Sequence, residues 1–336
     1  MARVAALFVV LVVMVLVPAL QPGLAGQVWQ TPRTSWGHAD LSGTWSTATI
    51  TPLERPAELA GKASFTAAEA ADYERVVVER TNRDQRPDDA AADVARAYND
   101  FWWDSGTRVV PTRRTSLVVD PPDGRVPALT TAAQQRQAAL AEARQLRGPA
   151  DHPEDRNLWE RCLTRGLPTA MLPQVYNNNY QIVQTTDHVV ILAEMIHDAR
   201  VIPLDGRPHL PAHLRAWMGD SVGRWDGDTL VIDTTNSNGM ALMNVDMKDF
   251  ASPGLHVVER ITLIDLDQLY YEVTLEDPAV YTRPWTMAWA RTRWPGRHVE
   301  LLEDACVEGN RSNTLSVPNL MFLGLPEAAS GGRRPN

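Results

Sequence analysis

The C-terminal half of the chain alternates apolar and polar positions in short runs separated by turn residues. Tyr180 to Gln184, His188 to Glu194 and Ala199 to Leu204 are runs of this kind, and a period of two belongs to strands with one buried face. Asp226-Gly227, between Arg224-Trp225 and the run from Asp228 to Thr234, is a type I′ hairpin signal. His256 to Ile264 and Leu269 to Glu276 flank the turn Asp265-Leu266-Asp267-Gln268; Thr282 to Arg293 and His298 to Cys306 complete the series. Short antiparallel strands with hairpin-length links predict a meander, either strongly curled or closed into a barrel.

The first half is mixed. Asp40 to Trp45 reads as entry to a first strand, and Thr66-Ala67-Ala68-Glu69 is a capping box opening a helix to about Arg80. Residues Asp84 to Asp93 are charged and poor in apolar positions, which predicts a loop. Thr115 to Asp120 and Arg125 to Leu129 flank Pro121-Pro122-Asp123-Gly124, the chemistry of a hairpin. Thr131 to Gln134 caps a second helix, ended by Gly148-Pro149. The fold class expected is therefore mainly β, with an α/β N-terminal extension.

One segment departs from both periods. Val4 to Leu20 is continuously apolar behind the single charge of Arg3, and Gly23 and Ala25 stand at the −3 and −1 positions of a small-x-small site. This pattern is that of a secretory signal peptide. The run is marginally short for a span of ~20 residues and has no basic stop-transfer flank, so cleavage is favoured over a retained anchor. The expected organisation is a signal peptide over 1–25, an extension over 26–160, a barrel-like region over 161–325 forming one unit with it, and a frayed tail over 326–336.

Removing the signal leaves about 310 residues, enough for one large core or two smaller ones. A net charge of −9 with no basic stripe argues against nucleic acid. No later run is apolar enough for a membrane span. Eleven Trp against five Phe is an unusual load, fitting either core filling or pocket walls. In an exported chain the two cysteines, Cys162 and Cys306, read as one disulfide.

Strand alternation supplies the first chemistry. Val257, Glu259, Ile261 and Leu263 share one face, as do Val299, Leu301, Glu303 and Ala305. Glu259 and Glu303 would then be acids inside a barrel, where burial raises a carboxyl pKa. Arg283, Trp285, Met287, Trp289 and Arg291 share another face, an aromatic wall with two cations that either holds a ligand or pairs with those acids. Asn178, Tyr180 and Gln181 concentrate hydrogen-bonding groups at the entry to the β region, and His197 to His209 is the most titratable stretch. Loops at a barrel mouth commonly carry function. Glu194 or His197 is the expected proton-transfer group, Arg200 or Arg207 the holder of an anionic or carbonyl oxygen, Asn178 the orienting amide, with Tyr180, Gln181 and His209 at the ligand and Trp225 and Trp285 as apolar wall.

Other motifs fail their context. Gly219-Asp220-Ser221-Val222-Gly223 matches a nucleophile elbow, but such an elbow follows a strand and precedes a helix; here a helix-like run precedes and a hairpin follows. Asp226, Asp228 and Asp233 lack the ligand spacing of a calcium loop, and Pro211 between His209 and His213 spoils a helical ligand pair. No metal or cofactor is expected, as no zinc spacing, dinucleotide fingerprint, phosphate loop or haem motif occurs.

Asp40-Leu-Ser-Gly-Thr-Trp45, Tyr176-Asn-Asn-Asn-Tyr-Gln-Ile182, His197-Asp-Ala-Arg-Val-Ile-Pro-Leu-Asp-Gly-Arg207, the run Gly219 to Leu230 and Ala305-Cys-Val-Glu-Gly-Asn310 resemble a family of secreted bacterial proteins without an assigned activity. In that family a histidine commonly follows the last cysteine, where this chain has Val307. Gly43-Thr44-Trp45 is similar to the Gly-x-Trp of lipocalin first strands. The function expected is that of an exported protein processing a small organic molecule by metal-independent acid–base chemistry. A non-catalytic carrier and an accessory protein of the cell envelope are the alternatives.

Overall fold

The computed structural model describes residues 29–82, 84–85, 88–95, 103–146, 157–159, 161–175, 177–241, 251–293, 301–304 and 306. The expected signal peptide and frayed tail lie outside them. All elements described below belong to the unit Thr31–Asn336.

The alternating runs are strands. β1 (Gly43–Ser46), β2 (Val118–Asp120), β3 (Asn179–Gln184), β4 (His188–Ala193), β5 (Ala199–Pro203), β6 (Asp220–Asp226), β7 (Thr229–Thr235), β8 (His256–Asp265), β9 (Gln268–Glu276) and β10 (Trp285–Arg293) form one antiparallel sheet among the described residues. Its order is β5-β4-β3-β1-β10-β9-β8-β7-β6, with β2 added beside β10. The helices α1 (Ala67–Thr81), α2 (Ala90–Ala95) and α3 (Thr131–Gln145) all come from the first half.

The meander is thus two meanders, β3–β5 and β6–β10, joined by β1 from the extension. Trp45 on β1 pairs with Tyr180 on β3 and with Arg293 on β10. The sheet curls until its two edge strands, β5 and β6, face each other without ladder bonds. A Cβ on Gly223 of β6 would stand 2.8 Å from Leu204 and 2.9 Å from Ile202. That position needs glycine because the seam is close. The architecture is a nearly closed, barrel-like sheet.

The inward face is apolar and dense. Leu230, Ile232, Val257, Ile261, Val273, Leu275, Met287 and Trp289 are all shut off from solvent. Two core tryptophans have partners for their N–H groups: Trp45 donates to Leu41 O at 2.9 Å and Trp289 to Thr47 Oγ1 at 2.6 Å. The Cys162–Cys306 disulfide is formed, with Cα atoms 5.4 Å apart. No helix among the described residues is long and apolar enough to cross a membrane.

Several local expectations differ. β2 pairs with β10, so residues 115–129 are not a hairpin; Leu129 instead bridges Tyr281. The expected loop over 84–93 holds the start of α2, where Asp89 caps with its carboxylate on Ala92 N at 2.7 Å. The cap of α3 is Thr130, one residue early, accepting from Ala133 N at 3.2 Å. Residues 301–304 form no strand, and Glu303 is exposed; residues 298–300 lie outside the described residues.

Candidate functional site

The alternation on β8 puts Glu259 inside the barrel with no solvent exposure. Arg200, inward on β5, crosses the interior to meet it, Nη1 to Oε1 at 3.0 Å and Nη2 to Oε2 at 2.5 Å. Tyr271 of β9 donates its phenol to Oε1 at 2.7 Å. Burial would raise the Glu259 pKa, but the charge and hydrogen bonds of Arg200 outweigh it and hold the carboxyl below its ordinary range. Arg200 also donates to Ser221 Oγ at 3.2 Å, and that hydroxyl shares a 2.8 Å bond with Thr234. Ser221 lies within β6 and not on an elbow.

Arg291, inward on β10, is fully buried beside this cluster. Its guanidinium lies 4.1 Å from the Tyr271 ring, 4.7 Å from the Tyr180 ring and 5.7 Å from the Trp289 ring. Nη2 donates to Met171 O at 3.1 Å, in the buried 3-10 turn Thr169–Met171, which also accepts from the Tyr180 phenol at Ala170 O, 2.5 Å away. Burial pushes the Tyr180 phenol up to about 12.

The barrel end near Tyr180 holds two further carboxyls, Glu194 and Asp104. Glu194, just after β4, is 5 % exposed and accepts from Asn179 Nδ2 at 2.7 Å. Burial raises its pKa, offset in part by Asn179, while Asp104 nearby raises it further. Asp104 is raised by burial as well. Directly after Glu194 the backbone is left-handed at Ile196 (φ 60°) and His197 (φ 47°), a costly conformation for a β-branched residue. Ile196 N is held there by Asp304 Oδ2 at 2.7 Å.

The expected site residues therefore separate. Glu194 and Tyr180 are buried neighbours at one end of the barrel, and Arg200 and Glu259 form an interior pair. His197 is exposed and turns its Nδ1 to Asp304 O at 3.1 Å. Arg207 is exposed and bound to Asp205 at 2.6 Å; Arg283 is exposed and bound to Asp120 at 2.6 Å. Asn178 is fully buried but structural, bonded to Gln174 N and O and to Asp104 O. Gln181 points to the outer, half-exposed face of β3. Trp285 is buried on the inward face of β10, and Trp225 stacks on His38 with ring centres 4.9 Å apart.

His209 belongs to a cluster that residue spacing does not reveal. Its Nδ1 meets Asp220 Oδ2 at 2.9 Å and its Nε2 meets Asp233 Oδ1 at 3.0 Å. His256 Nε2 shares Asp233 Oδ1 at 3.1 Å, and its Nδ1 lies 3.7 Å from Glu276. Among the described residues no such group is arranged to hold a metal ion. A groove of about 450 Å³ between α1 and the outer face of β10 is lined by Ala70, Glu74, Arg108 and Arg113, among others, and borders none of the expected site residues.

Asp104 is the member hardest to foresee. Arg291 is visible in the sequence as an inward cation, whereas Asp104 has no periodic context. No protein-family model matches the chain, and no curated protein matches it.

Proposed function

We propose that this is an exported protein that takes a small organic molecule at the end of the barrel where Asn179, Tyr180 and Glu194 meet, with Glu194 transferring a proton. The observation that carries this is Glu194 itself: a carboxyl 5 % exposed, raised by burial and by Asp104 although the Asn179 side-chain amide and the Asn179 and Leu302 backbone N–H groups bond it. A carboxyl that keeps its proton closer to neutrality suits general acid or base work. The left-handed backbone at Ile196 and His197 supports it, since strain of this kind gathers at functional sites. The apolar N-terminal run and the Cys162–Cys306 disulfide support a periplasmic or secreted address.

The carrier reading has its own support: Arg200, which would hold a substrate oxygen, is committed to Glu259, and the His197 ring is engaged with Asp304 O. One experiment separates the two. Wild type and Glu194→Gln are incubated with a small-molecule extract of the host and followed by untargeted mass spectrometry. Proton transfer at Glu194 requires a compound that wild type converts and the variant only binds. Retention without conversion by either protein favours the carrier.

A further inference from the structure

Donors outnumber acceptors around one residue inside the barrel. Arg291 is 0 % exposed, and among the described residues neither Nε nor Nη1 has a hydrogen-bond acceptor. The rings of Tyr271, Tyr180 and Trp289 meet the guanidinium at 4.1, 4.7 and 5.7 Å. Cation–π attraction acts through ring faces, whereas guanidinium N–H bonds radiate in their own plane. The rings attract the charge but offer Nε and Nη1 no lone-pair acceptor.

Charge is answered only in part, by a Glu259 carboxylate that Arg291 shares with Arg200. The carboxylate of Glu259 is taken by Arg200 on both oxygens and by the Tyr271 phenol. Two guanidinium groups thus face one carboxylate. Burial keeps both neighbouring phenols protonated, that of Tyr180 up to about 12 and that of Tyr271 well above 10.0, so neither supplies a counter-charge near neutrality. An arginine does not shed its proton to escape, and a buried unpaired charge is costly. Water would answer the N–H bonds but not the charge. Arg200, 5 % exposed, adds a further donor to the same interior, since its Nε has no acceptor among the described residues.

We propose that Arg291 is the seat of a small organic carboxylate, whose oxygens accept from Nε and Nη1 at the barrel end roofed by Thr169–Met171. Tyr180 lies between this seat and Glu194: its ring meets the Arg291 guanidinium at 4.7 Å and its backbone pairs with Ala193, next to Glu194. This inference rests on the proton-transfer reading above and names its substrate class.

The test uses the full mature protein after exhaustive dialysis, with acetate, pyruvate and benzoate as probes and acetamide and benzamide as neutral controls. Saturable binding by calorimetry and a rise in Tm are expected for at least one carboxylate and for neither amide. Arg291→Lys, which keeps the charge but loses the planar donor set, should weaken that binding roughly tenfold or more. Far-UV circular dichroism checks that the variant folds. If it does not, native mass spectrometry of wild type from its host must show a retained acid. Equal binding of acid and amide, no binding of any carboxylate, or unchanged binding by folded Arg291→Lys overturns the inference. Glu194→Gln separates the two proposals. If it binds the carboxylate as wild type does and only turnover is lost, both stand. Turnover of a neutral molecule without carboxylate binding removes this inference alone, and carboxylate binding without any turnover removes the proton-transfer reading alone.

Discussion

Arg200 on β5 and Glu259 on β8 meet across the barrel interior, Nη1 to Oε1 at 3.0 Å, with side chains 4 % and 0 % exposed. The pair ties an edge strand to a strand with which it shares no ladder. Removing one partner strands the other charge, so Glu259→Gln or Arg200→Met should each cost about 3–5 kcal/mol, whereas Arg200→Met with Glu259→Leu should recover much of it. Urea unfolding of the three variants checks this. The Glu259 carboxyl is held below its ordinary value of 4.5. Its contribution is therefore full above that value and is lost as pH falls through the lowered folded value. The acid limb of the stability curve should flatten in Glu259→Gln.

His209 behaves in the opposite sense. Burial disfavours its charged form, but hydrogen bonds to Asp220 and Asp233 outweigh it and raise its pKa above 6.5. Both ring nitrogens face carboxylates, so the protonated ring is the one that satisfies them. The stability it contributes is full below 6.5 and disappears as pH rises through the raised folded value. Wild type minus His209→Asn, compared by thermal unfolding across that range, should shrink with rising pH. A pH-independent difference would show that the ring acts by packing alone.

The Cys162–Cys306 disulfide closes a loop of 144 residues and anchors the segment leading to the Thr169–Met171 turn. Replacing both cysteines by serine should cost about 2–5 kcal/mol. The check is the Tm of the double variant against wild type with and without reductant. Reductant should lower the wild-type value only.

The strands were legible because each has its own local period. Val257, Glu259, Ile261 and Leu263 do share the inward face, as alternation requires. The insertion of β1 between β3 and β10 was not, since pairing across the whole chain leaves no local mark. Side-chain fate followed the same division. Arg200 and Arg207 are the same residue type in one titratable stretch, yet strand position buries the first and a turn exposes the second. Arg291 could be placed inside from its alternation with Trp289, but its unanswered N–H groups depend on what surrounds it in three dimensions. The cluster at His209 arises because the link between β5 and β6 folds back onto β6 and β7, where Asp220 and Asp233 meet its ring.

The seam depends on Gly223. Any Cβ there would press on Leu204 and Ile202, and overpacking of this kind costs about 1–3 kcal/mol. Gly223→Val should therefore destabilise the protein and speed hydrogen exchange in β5 and β6 ahead of β8 and β9. Uniform exchange across all four strands would argue that the two edges do not form a separate seam.

Glu194 gives the prediction that reaches function. Burial and Asp104 raise its pKa from 4.5, which means that the folded protein holds the proton more tightly than the unfolded chain. Stability should then fall as pH rises from 4.5 through the raised folded value, and the penalty persists above it. Glu194→Gln keeps an amide of similar shape and removes the charge. It should match wild type at low pH and be the more stable protein above the folded pKa, measured as the urea midpoint at acid and neutral pH. A residue kept for packing would lose stability on this change. A gain that accompanies lost turnover is the signature of a carboxyl retained for chemistry. A loss of stability at neutral pH would place Glu194 among the structural acids instead.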